Sequence, residues 1–194
     1  MFIKQKGVTV WFTGLSGAGK TTVAGEVERE LRERNYRVVL LDGDDMRRTI
    51  ARDLGFSRQD REENMRRIGF MAYFLTRFNF IALVSAISPY RTMRGQLRDL
   101  LEDFIEVYVN APLEVCEKRD VKGLYSLARL GKINQFTGID SQYEAPLNPE
   151  VECLTHRESV AECVKKVLDE LGSQGYIELS GAPGVSVGGK IVNA

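Results

Sequence analysis

Residues 7–22 read GVTVWFTGLSGAGKTT, a short apolar run that enters Gly14-Leu15-Ser16-Gly17-Ala18-Gly19-Lys20-Thr21. The second half is a complete G-x-x-x-x-G-K-T phosphate-binding loop. Glycines at this spacing let the backbone turn inward, so that successive N–H groups point at one anion. Lys20 supplies a cation for the β- and γ-phosphates of a nucleotide, and the Thr21 hydroxyl can ligate Mg²⁺. Residues 8–12 predict a strand. Val23, Val27 and Leu31 predict a helix that begins near Lys20 and aims its positive dipole end at the same phosphates. A glycine-rich turn matching by chance would lack this strand–loop–helix context. A second G-x-x-x-x-G-K stretch, residues 184–190, does lack it: Ile191 stands where the hydroxyl belongs and no helical pattern follows. It reads as a tail.

Outward from the loop, apolar runs alternate with amphipathic stretches. Residues 38–41, 80–86, 105–109 and 151–154 predict strands buried on both faces, as in a parallel sheet covered by helices. Residues 22–34, 57–77, 92–103 and 113–119 have helical spacing, as do residues 157–171, where Gly172 marks the expected C-cap. The pattern predicts a doubly wound, mostly parallel α/β sheet in a three-layer P-loop kinase-like fold. Ligands bind such sheets at the carboxyl ends of the strands.

Composition sets the bounds. The 194 residues, 43% hydrophobic, fit one domain over residues 1–171, with residues 172–194 left as a tail of unassigned role. Lys+Arg and Asp+Glu both total 27, so no net field attracts nucleic acid or an anionic membrane. Cys116, Cys153 and Cys163 form an odd set without C-x-x-C, which argues for reduced thiols. No apolar signal region and no spanning helix are evident, so a cytoplasmic setting is expected.

The segments after the strands carry the remaining signals. Asp42, Asp44 and Asp45 crowd three carboxylates into four positions. Either a solvated turn holds them, with Asp45 capping a helix, or a cation sits nearby. Ser57 and Asp60 resemble a capping box that opens a helix with Glu62–Arg66 and Glu63–Arg67 pairs. On that helix Arg61 and Asn64 share a face apart from the apolar line. Residues alone leave two readings, solvated ion pairs or a grip on a second, anionic substrate. Pro89 holds Ser88 extended at the sheet's edge. Residues 120–140, rich in Lys, Arg and Gly, predict a mobile basic lid that excludes water.

Six stretches, GLSGAGKTT, LDGDDMR, LGFSRQDREENMRR, ISPYR, VNAPLEVCEKRDVKGLY and FTGIDSQYEAP, occur in this order over roughly residues 7–156. Together they resemble the adenylylsulfate kinase (APS kinase) family. The resemblance implies ATP-dependent, Mg²⁺-dependent phosphorylation of the 3′-hydroxyl of adenosine 5′-phosphosulfate (APS), with PAPS and ADP as products. It gives the ATP phosphates to Gly17, Ala18, Gly19, Lys20, Thr21 and Thr22, the end of the loop opened by Gly14, Leu15 and Ser16. It gives the acceptor to Asp44, Arg47, Phe56, Arg61, Asn64, Ile87, Ser88, Lys122, Phe136 and Thr137. Phe56 and Phe136 would sandwich the acceptor's adenine. Asp44 would address the reacting hydroxyl, and Asp42 would hold the metal through water beside Thr21. Ser88 falls at the family's phosphoserine position, although direct in-line transfer needs no covalent step there and no neighbouring base is evident. Asp45 stands where the family commonly has Asn, and Asn134 where its lid often has Lys. The resemblance also implies a homodimer and leaves open an ATP sulfurylase partner.

Overall fold

The computed structural model describes residues 5–178. Its centre is a five-stranded, wholly parallel sheet of β1 (Val8–Thr13), β2 (Val38–Asp42), β3 (Ile81–Ser85), β4 (Phe104–Asn110) and β5 (Val151–Leu154), ordered β2-β3-β1-β4-β5. Register puts Val10 between Leu83 and Ile105. β1, the first strand in sequence, is therefore the middle strand in space, with crossovers leaving to both sides. That is the switch point at which a doubly wound sheet opens a crevice.

Alternation of side chains divides the core into two layers. Val10, Phe12, Leu83, Ile105 and Val107 pack beneath α1 (Lys20–Glu33) and α7 (Val160–Ser173). Trp11, Ala82, Val84 and Phe104 pack beneath α3 (Arg58–Arg77) and α4 (Arg91–Leu101). Strands buried on both faces explain why the sequence shows continuous apolar runs there rather than alternation.

The helices differ from expectation in four places. Residues 43–48 form a short α2 (Gly43–Arg48) whose N-cap is Asp42, not Asp45: the Asp44 N–H donates to Asp42 Oδ1 at 2.9 Å. The segment expected as an irregular lid holds α6 (Leu124–Arg129) after α5 (Leu113–Arg119). Both new helices have six residues, too few for a helical period to register. Glu62 pairs with Arg58 rather than Arg66, which turns back to Glu63 at 2.7 Å, while Arg67 also reaches Glu63 at 2.8 Å. Finally, α7 runs past Gly172, and Gly175 takes the left-handed turn at φ +76°. The chain then folds back: Tyr176 and Ile177, expected in the tail, are core residues. The decoy stretch 184–190 lies outside the described residues.

Candidate active site

The phosphate loop lies between β1 and α1, and its glycines are required by geometry. A Cβ at Gly14 would stand 2.3 Å from the Val109 carbonyl oxygen, and Gly17 holds φ +73°. The loop's carbonyls are pinned one after another. Lys20 Nζ donates to Leu15 at 2.8 Å, Tyr125 OH to Ser16 at 2.9 Å, and Arg119 Nη1 to Gly17 at 3.1 Å. Thr155 Oγ1 donates to Ala18 at 2.7 Å. Carbonyl and N–H point oppositely across a peptide plane, so the anchored carbonyls turn the N–H groups of Ser16, Gly17 and Gly19 toward an anion, while the Ala18 N–H donates to the Leu15 carbonyl at 3.2 Å. Arg119, Tyr125 and Thr155 were not singled out from the sequence: Arg119 and Tyr125 lie within the family stretch VNAPLEVCEKRDVKGLY, but only the fold brings all three to the loop.

Lys20 is buried, and burial followed by repulsion from Lys122 pushes its ammonium down to about 8. Thr21 Oγ1 donates to Asp42 Oδ2 at 2.8 Å and lies 3.0 Å from Ser85 Oγ. These are hard oxygen donors with a single carboxylate, a set suited to an Mg²⁺ that keeps waters and shares nucleotide oxygens. The three crowded carboxylates do not converge. Asp42 caps α2, Asp44 contacts Lys122 across the cleft, and Asp45 turns outward to Arg48 at 2.5 Å. Among the described residues no cluster of three or more acidic, His or Cys side chains is arranged for a metal. The strand ends at Asp42 and α2 begins at Gly43, so Asp42 and Asp44 do not share a strand face.

A cleft of about 770 Å³ opens from the loop. It is lined by Ser16, Gly17, Gly19, Lys20, Thr21 and Thr22 on one side. All ten expected acceptor residues line it too: Asp44, Arg47, Phe56, Arg61, Asn64, Ile87, Ser88, Lys122, Phe136 and Thr137. Gly14, Leu15 and Ala18 shape the turn from behind.

Most acceptor-side groups are held by other parts of the chain. Arg61, buried at the start of α3, donates to the Phe56 carbonyl at 2.9 Å, to Thr137 Oγ1 at 2.6 Å and to the Gln135 carbonyl. Arg47 donates to the Gly55 carbonyl at 2.8 Å and stacks its guanidinium 4.6 Å above the Phe56 ring. Burial depresses both guanidinium groups below their ordinary range. Asn64 is 2% exposed and its Oδ1 has no protein donor, so it is aimed and unsatisfied. Phe56 is exposed. Phe136 is buried and packs edge-on against Tyr125, with centroids 4.9 Å apart. The polar sequence around Phe136 conceals a core position. Ser88 is not extended: it sits at φ +48°, 1% exposed, its Oγ accepting from Trp11 Nε1 at 2.7 Å and directed to the Ala86 carbonyl at 3.2 Å.

The profile of the family described as adenylylsulphate kinase matches residues 6–154. The chain belongs to the adenylylsulfate kinase family. It is 59% identical over 175 residues to an adenylyl-sulfate kinase of Halothermothrix orenii, covering 90% of this chain and 95% of that one. An adenylyl-sulfate kinase of Gloeothece citriformis is 56% identical over 90% of this chain and 99% of its own length. The Mycobacterium tuberculosis APS kinase CysC, solved in complex with AMPPNP and APS, superposes with a TM-score of 0.84 at 45% identity, covering 87% of this chain and 99% of that one. No helix among the described residues is long and apolar enough to cross a membrane.

Proposed function

We propose that this chain transfers the γ-phosphate of ATP to the 3′-hydroxyl of adenosine 5′-phosphosulfate, giving PAPS and ADP, with ATP on the phosphate loop and APS against α3 and the lid. One observation carries the reading. A single continuous cleft joins Lys20 and Thr21 to Asp44 and on to Phe56, Arg61, Asn64 and Phe136.

Phosphoryl transfer asks a protein mainly to align two oxygens about one phosphorus and to meet the charge that develops. The pinned loop and Lys20 orient the β- and γ-phosphates. Asp44, on α2 at the middle of the cleft, accepts the hydrogen bond of the attacking hydroxyl and aims it. Lys122, which contacts Asp44 when no substrate is present, is within reach to turn toward the transferred group. Thr21 and Asp42 would hold Mg²⁺, which when bound neutralises the phosphate oxygens. The Ser88 hydroxyl, buried, accepting from Trp11 and donating its proton to the Ala86 carbonyl, supports direct transfer without a phosphoserine.

A homodimer is proposed as well. Phe70 and Phe74 on α3 and Phe78 at its C-cap repeat every four residues and are exposed, and such a stripe is more than a monomer ordinarily leaves open. Sedimentation of the purified chain decides it.

The activity is tested by incubating the protein with ATP, Mg²⁺ and APS and separating the nucleotides. PAPS and ADP should form in equal amounts. ADP formation that ignores APS would overturn the acceptor assignment.

A further inference from the structure

β3 leads into the turn Ala86-Ile87-Ser88-Pro89-Tyr90, where Ser88 holds a left-handed conformation that a non-glycine residue keeps only when its neighbours enforce it. Three side chains do so. Trp11 Nε1 donates to Ser88 Oγ at 2.7 Å, Thr13 Oγ1 to the Ile87 carbonyl at 2.7 Å, and Arg94 Nη1 to the Ser88 carbonyl at 2.5 Å.

Arg94 does more than hold that carbonyl. It lies on α4, 3% exposed, with Nε on Glu106 Oε1 at 2.6 Å and Nη2 on the Glu144 carbonyl at 2.7 Å. Glu106 projects from β4 into the layer beneath α3 and α4, and Glu144 belongs to the chain that follows the lid. One rigid fork therefore joins a central strand, the turn after β3 and the far end of the lid. The same seam is closed by Glu144 N–H to the Pro89 carbonyl at 2.8 Å and Arg91 Nε to the Ala145 carbonyl at 2.6 Å. With the carbonyls of Ile87, Ser88 and Pro89 all taken, the N–H groups of Ile87 and Ser88 meet no protein acceptor among the described residues. Both residues line the cleft.

As a device for stability this arrangement is poor, because the desolvation of a buried ion pair offsets its attraction. As a device for aiming backbone it is well suited, since a guanidinium fixes its donors in one plane.

We propose that Arg94 is a positioning residue for the acceptor. It sets the Ser88 turn against the end of the lid, so that the free N–H groups of Ile87 and Ser88 meet the anionic part of APS. The proposal rests on the reading that this turn belongs to the acceptor site.

Two variants test it. R94K keeps a cation beside Glu106 but cannot span the fork; R94M/E106Q removes both buried charges and leaves neither unpaired. Trp11 is the sole tryptophan and bonds Ser88 directly, so its emission reports on the turn without any need for turnover. Expected for both variants are a cooperative melt, a shifted Trp11 emission, a KM for APS raised about tenfold, the scale of one charge-assisted hydrogen bond, and a KM for ATP within about twofold. Unchanged emission and APS KM, equal rises in both KM values, or failure of both variants to fold would each overturn it. If the wild type forms no PAPS, the functional reading fails instead, and the Trp11 shift still shows whether Arg94 sets the turn.

Discussion

Asp44→Asn separates chemistry from folding, because in this structure Asp44 supports almost nothing structural. Its side chain is 57% exposed and contacts Lys122, itself 53% exposed, across the cleft. Exposed pairs of this kind contribute about 0.2–1 kcal/mol. For a domain of this size that corresponds to a Tm lower by no more than about 4 °C. A positioned group that takes up a proton at the transition state is worth about 10²–10⁴ in rate. The variant should therefore melt almost normally and lose two to four decades of kcat, about 10²–10⁴-fold, with ATP affinity near that of the wild type. The measurements are ADP release under saturating substrates, calorimetric ATP binding and a thermal melt. Asp42→Asn should be intermediate: Asp42 carries both the Thr21 hydroxyl and the α2 cap, and an amide has one oxygen for two donors. Asp45→Asn should matter least, since Asp45 points outward to Arg48. If Asp45→Asn is the most damaging of the three, or Asp44→Asn retains kcat while losing stability, the reasoning fails.

Lys20→Ala should reduce turnover by about 10²–10³, the usual effect of removing one preorganised donor; near-normal turnover in a folded variant would sink the phosphate-loop assignment. Lys20 also carries a pH signature. Its folded pKa of about 8 lies below the unfolded 10.5, so the unfolded chain binds more protons between these values and stability rises with pH there. Lys20→Met should accordingly raise the Tm of the ligand-free protein at pH 7, with the gain shrinking as pH climbs from about 8 to above 10; a constant gain would contradict the burial argument. Ser88→Ala should cost about 1–3 kcal/mol by orphaning Trp11 Nε1 yet keep most activity, and total loss with phosphate trapped on Ser88 in the wild type would establish a covalent route. Phe56→Ala should raise the KM for APS by the equivalent of about 1–3 kcal/mol of stacking and leave that for ATP unchanged. Phe136→Ala should do the same and also lower Tm, because Phe136 packs on Tyr125; equal effects on both substrates in Phe56→Ala would point to lost folding.

How much of this could be read from the chain depended on whether a feature was local. The phosphate loop, the four apolar strands and the long helices announce themselves within a window of a dozen residues, and β5 followed from the same pattern. The two short helices did not, because one and a half turns show no period. The fate of the three aspartates was also hidden. Two residues apart, Asp42 and Asp44 would share a face only if the strand continued, and a helix starting at Gly43 sent the three carboxylates in three directions. Arg94 and Glu106 left a faint trace. A glutamate inside the run Phe-Ile-Glu-Val-Tyr-Val is anomalous for a buried strand and calls for a buried cation, yet nothing in the sequence says which of the 27 basic residues answers it.

The two halves of the cleft consequently differ in kind. On the side proposed for ATP the surface is largely loop backbone with the Lys20 and Thr21 side chains, so glycine spacing implies its shape and Arg119, Tyr125 and Thr155 lock it. On the side proposed for the acceptor, side chains held largely by remote partners stand beside the backbone N–H groups of Ile87 and Ser88. Arg61 shows the consequence. Its spacing with Asn64 suggested a fork open to an anion, but Nε, Nη1 and Nη2 are all engaged with Phe56, Thr137 and Gln135. An acceptor that draws on Arg61 must share that guanidinium with residues 135–137 or displace them. With the acceptor placed as proposed, its occupancy and the seating of residues 135–137 would thus act on one side chain. Substitutions that loosen residues 135–137 should therefore alter the handling of APS before that of ATP.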